Sequence, residues 1–74
     1  MKSRHSVILV DSTSHALRIE KALEMEGIAS KLIPVPRRLS SDCGVCVRIA
    51  SEDAAQTRRI MEENGIRFQS IEEL

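Results

Sequence analysis

The sequence predicts one α+β domain: a four-stranded antiparallel sheet with two helices on one face, in the order β-α-β-β-α-β. Three observations predict it. Two amphipathic stretches with helical spacing each run up to a glycine. Short β-branched runs flank both of them. The only two prolines stand two residues apart in the second such run, as an edge strand requires.

Met1 to His5 is a polar leader, and Ser6 to Asp11 holds Val7-Ile8-Leu9-Val10, a buried strand. Ser12, Thr13 and Ser14 follow, and each can cap a helix by accepting a backbone N–H. The helix continues to about Glu26, with Ala16, Ile19, Ala22 and Leu23 as its apolar stripe. Gly27 stops it, because glycine takes the left-handed conformation without strain. Ile28 to Pro36 reads as the second strand. Pro34 and Pro36 lack N–H donors on the same side, so that side stays unpaired while Ile33 and Val35 pair on the other. Arg37 to Asp42 is a polar loop. Val45, Val47 and Ile49 alternate with Cys46, Arg48 and Ala50, a half-buried strand. Ser51 is the expected cap of the second helix, with Glu52 and Asp53 suiting its N-terminal dipole. Ala54, Thr57, Ile60, Met61 and Asn64 share a face, Asn64-Gly65 closes the helix, and Ile66 to Ile71 forms the last strand. Arg58, Arg59, Glu62 and Glu63 read as a solvated face, and Met25 and Met61 as core filler. This order packs naturally in the ferredoxin-like arrangement, with the first and third strands central and the second at an edge.

Residues 1–74 make a single small domain. Eleven basic residues balance eleven acidic ones, which argues against nucleic-acid binding by charge and against a polybasic membrane patch. The central strands also lack the aromatics on which RNA bases stack, since Phe68 is the sole aromatic. The longest apolar run is far short of a membrane span, so the expected compartment is the cytoplasm. There, two cysteines three apart point to redox chemistry, a carried group or a metal rather than to a structural disulfide.

Ile33 to Cys46 gathers both prolines, Arg37, Arg38, Asp42 and both cysteines. The crossover helix makes the first two strands parallel, so the loop with Cys43 should reach the N-terminus of the first helix, near Asp11, Ser12, Thr13 and Ser14. The unpaired N–H groups there, with His15 and Arg37 or Arg38, would favour a thiolate; Asp42 would oppose it. Gly44 lets the backbone approach a partner. Cys46, inside the strand, reads first as a small half-buried hydrophobe. The first strand is apolar on both faces, and only one face of the sheet can meet the two helices. The other face, bearing Ile8 and Val10 or Val7 and Leu9 with Cys46 and Ala50, is expected to be at least partly apolar and to mediate self-association or docking to another domain.

From Ser12 to Ile49 the chain resembles a family of small bacterial and archaeal domains described as selenium/sulfur carrier-like proteins. The features that carry the resemblance are Ser12-Thr13-Ser14-His15-Ala16-Leu17, Glu20-Lys21, Ile33-Pro34-Val35-Pro36-Arg37, and Ser40-Ser41-Asp42-Cys43-Gly44 running into Val45-Cys46-Val47-Arg48-Ile49. The resemblance implies a single thiol, matching Cys43, that holds a persulfide or selenopersulfide. Protein donors and acceptors of sulfur or selenium would serve as partners, with no cofactor. It implies a carrier more than a turnover enzyme. Cys46 stands where the family pattern suggests a small or apolar residue, which leaves a second, resolving thiol open. The competing readings are a metallochaperone-like metal site built on the Cys43/Cys46 pair and a plain interaction domain. A mononuclear metal site would need further ligands from a second copy.

Overall fold

The computed structural model describes residues 4–39 and 43–74. The elements are β1 (His5–Leu9), α1 (Thr13–Met25), β2 (Lys31–Pro34), β3 (Val45–Ala50), α2 (Ala54–Glu63) and β4 (Ser70–Glu73), with a single 3-10 turn over Ser51–Asp53 leading into α2. All strand pairs are antiparallel and the sheet order is β2-β3-β1-β4. This is the ferredoxin-like arrangement, with β1 and β3 central. β2 lies at an edge, and the Val35 N–H donates to the Gly44 carbonyl at 3.1 Å. The inner side of that strand therefore pairs while the two prolines face outward.

Alternation along the strands sorts the core. Ile8, Val10, Val47 and Ile49 meet Ala16, Ile19 and Leu23 of α1 and Ile60 and Met61 of α2 in one cluster. Both helices therefore cover the same face. Each helix ends in the same way. Gly27 (φ +75°) donates to Glu24 O at 3.1 Å and Ile28 to Leu23 O at 2.9 Å; Gly65 (φ +64°) donates to Glu62 O at 3.3 Å and Ile66 to Met61 O at 2.9 Å. Both are Schellman turns, and each drops an isoleucine back into the core. A Cβ at Gly65 meets nothing within 4 Å. Gly65→Ala should therefore cost only the left-handed strain, about 1 kcal/mol, read as a lowered urea midpoint.

Several boundaries differ from the sequence reading, for local reasons. β2 begins at Lys31 and β4 at Ser70, because Ile28 and Ile66 are spent on the helix ends. β1 begins at His5. Ser51 does not cap α2: its hydroxyl bonds Ser6 Oγ at 2.7 Å and ties the turn to β1. Asn64 is exposed, and its amide donates to Ile60 O. Met61 is in the core, but Met25 is 78% exposed. It lies two residues past Leu23, roughly 200° around the helix from the buried stripe. Arg58, Arg59, Glu62 and Glu63 are exposed as expected, and Arg58 lies over the Phe68 ring at 5.3 Å.

The largest departure concerns the face without helices. Its apolar residues are Val7, Leu9 and Cys46, and they are not exposed. Ile33, Val35 and Leu39 pack against them as a second small core. The connection after β2 folds back over the sheet, and Arg38 extends it by donating to the Glu73 carbonyl on β4 at 2.8 Å. The expectation that this apolar face lies open is therefore corrected. The chain covers that part of the face itself.

Candidate functional site around Cys43

The crossover argument puts the start of β3 at the α1 end of the sheet, and the register bears this out, with Leu9 opposite Cys46 and Pro34 opposite Val45. Cys43 reaches α1 there. Its Sγ is 3.6 Å from Thr13 Oγ1, with either group able to donate. Thr13 opens the helix, so this contact sets the Cys43 sulfur against the first turn of α1. Ser12 is the N-cap and accepts from the His15 N–H at 3.4 Å. Ser14 is exposed.

Cys43 is buried to 7% exposure and packs with the helix-side core. It lies in the loop before β3, as the sequence reading has it, but its side chain is buried rather than solvent-facing. Position 43 has the parity of Val45 and Val47, so its side chain turns inward. Cys46 has the other parity. It is fully buried in the second core, and its Sγ lies 3.9 Å from the Pro34 carbonyl. The two thiols thus belong to opposite sides of the sheet, and neither is in a disulfide. Burial pushes the Cys46 thiol above its ordinary range, and the neighbouring Cys43 adds to the shift.

Arg38 is turned across the other face to Glu73, which pairs with Ser6 near the far end of β1. Arg37 is exposed. His15 is two residues from Thr13, roughly 200° around α1, and its Nδ1 is buried without a hydrogen-bond partner. Asp42 lies outside the described residues. Among the described residues, no group of three or more His, Cys, Asp or Glu side chains could hold a metal ion, and no helix is long and apolar enough to cross a membrane. The sequence reading named Ser12, Thr13 and Ser14 alike, and it is the Thr13 hydroxyl that lies against the Cys43 sulfur.

A pH dependence follows from the raised Cys46 thiol. The native chain holds that proton more tightly than the unfolded chain does. Below 9.0, the ordinary thiol value, both states keep it and stability is at its full level. As the pH climbs past 9.0, the unfolded chain ionises first and stability falls. Urea midpoints should show this decline in the wild type, and a shallower one in Cys46→Ala. In the native protein at neutral pH, Cys43 should alkylate ahead of Cys46; equal rates would remove the distinction between the two thiols.

Fold and geometry together define a small ferredoxin-like domain with a thiol held at the N-terminus of its first helix. The chain belongs to the family described as "Putative Se/S carrier protein-like", whose model matches residues 5–73, nearly the whole chain. No curated protein and no solved structure matches it at a significant level.

Proposed function

We propose that the protein carries sulfur or selenium on Cys43 as a persulfide or selenopersulfide, between a donor protein and an acceptor protein. The observation that supports this best is the Cys43 sulfur beside Thr13 at the start of α1. The outer sulfur of a persulfide is anionic near neutral pH. The helix N-terminus offers it backbone donors and a favourable dipole, and Thr13 offers a hydroxyl. Charge stabilisation in this reading rests on α1, with Ser12 fixing the first turn and Ser14 at its exposed side. Arg37, Arg38 and His15 are left without a part in it.

Loading is an exchange of sulfur. The Cys43 sulfur attacks the outer sulfur of a donor persulfide, one S–S bond forms and the donor's S–S bond breaks. The donor leaves as a thiol, so protons and electrons balance without an oxidant. An acceptor thiol takes the sulfur by the same step in reverse. Because Cys43 is only 7% exposed, loading also requires the donor to uncover it. No cofactor enters either step. The reading places the protein in the cytoplasm, where thiols stay reduced.

Cys46 has no necessary part. A resolving thiol would have to reach Cys43 from the second core, where Cys46 is fully buried. The same separation disfavours a metal chelated by both thiols. Mass spectrometry of protein isolated from cells without reductant tests the carrier reading. Added sulfur or selenium on the Cys43 peptide is the expected result, and an unmodified thiol after exposure to a persulfide donor would overturn it.

A further inference from the structure

The uncovered part of the helix-free sheet face carries an unusual charge arrangement. Lys31 of β2 stands directly opposite Arg48 of β3. Such partners have Cβ atoms about 5 Å apart, and like charges there are destabilising. His5 of β1 points to the same face, by its parity with Val7 and Leu9. These three residues, with Ser30, line a cavity of about 240 Å³ whose wall contains no carboxylate. Among the described residues the one ion pair is Arg4 with Glu73, so neither Lys31 nor Arg48 is neutralised. Glu72, the acidic residue in the same row, is two strands from Arg48, across Val7.

We infer that this cavity is a binding site for a phosphate-class oxyanion, held by Lys31, Arg48 and His5. A cross-strand pair of cations facing a hollow has no internal partner to offset its repulsion; a dianion placed between them supplies one. Arg48 is half-buried, so its planar fork is partly fixed before a ligand arrives. Ser30 completes the wall beside Lys31. The volume is below that of pockets for drug-sized ligands, roughly 300 Å³ and upward, and suits phosphate itself or a small phosphomonoester. The site is independent of the thiol. Arg48 lies five residues along the chain from Cys43, roughly 16 Å in extended backbone, and on the other face.

The test is an NMR titration of the isotope-labelled full chain with inorganic phosphate, against chloride at matched ionic strength. The expected result is saturable movement of the His5, Ser30, Lys31 and Arg48 amides by phosphate alone. Lys31→Gln and Arg48→Gln should each weaken it by about tenfold or more, the weight of one charge-assisted hydrogen bond. In phosphate-free buffer each substitution should raise the urea midpoint, since the repulsion is relieved, and phosphate should raise the midpoint only in the wild type. A parallel titration with methyl phosphate tells a free oxyanion from an ester: equal affinity marks the former, tighter methyl phosphate the latter. Movement that chloride reproduces, or that survives in both variants, would overturn the site.

Discussion

Cys43→Ser abolishes sulfur loading, while Cys46→Ala leaves it close to the wild-type level. This is the sharpest outcome expected from the arrangement around α1. Serine is nearly isosteric with cysteine, so the fold should survive, but its oxygen does not accept a transferred sulfur. Circular dichroism on the same sample separates loss of chemistry from loss of structure. Loading is read as the mass gained after incubation with a persulfide donor. Thr13→Val is the graded companion. It removes the hydroxyl 3.6 Å from the sulfur and keeps the shape. A hydrogen bond of about 1 kcal/mol is at stake, so the loaded fraction at limiting donor should fall by about fivefold. Full loading of Cys43→Ser would move the site to Cys46. An unchanged Thr13→Val would leave the helix backbone as the only stabilising group.

Leu39→Asp has the second large effect, and it acts through packing. Leu39 packs against Val7, Leu9 and Cys46 on the helix-free face. Withdrawing a partly buried leucine forfeits about 1–2 kcal/mol of burial, and a carboxylate over apolar residues adds desolvation cost. In a domain whose total stability is about 5–10 kcal/mol, that lowers the urea midpoint markedly. Uncovering the face should also make Cys46 alkylate under native conditions. Leu39→Ala should reproduce a smaller part of both effects. If Cys46 stays as protected in Leu39→Asp as in the wild type, the connection after β2 is not what covers it.

The framework was legible because periodicity and punctuation agree in this chain. Gly27 and Gly65 stop helices that their apolar stripes begin, and Pro34 with Pro36 fixes the edge strand. From strand order alone, the meeting of the Cys43 loop with the start of α1 could be foreseen. What escaped was tertiary. Nothing in the polar run around Arg37 and Arg38 announces that Leu39 folds back as a cover, though it is the lone large apolar residue there. Ser51 has the sequence context of a cap and instead bonds Ser6, a partner 45 residues away. The burial of Cys43 depends on one parity step, which a loop of unknown path cannot give. The basic pair of Lys31 and Arg48 appears only once the β2–β3 register is known.

The matched helix ends have a wider consequence. Leu23-Glu24 and Met61-Glu62 lead into Gly27-Ile28 and Gly65-Ile66 with the same two backbone bonds, at a constant offset of 38 positions (65 less 27). The chain is thus built as two β-α units related by a pseudo-dyad through the sheet, and its two ends are architectural equivalents. At one end the stretch ahead of β3 delivers Cys43 to the start of α1. At the other, the stretch ahead of β1 delivers the Arg4 carbonyl to the Ser51 N–H, at 2.9 Å, just before α2. The same niche is occupied twice, once by a thiol and once by main chain.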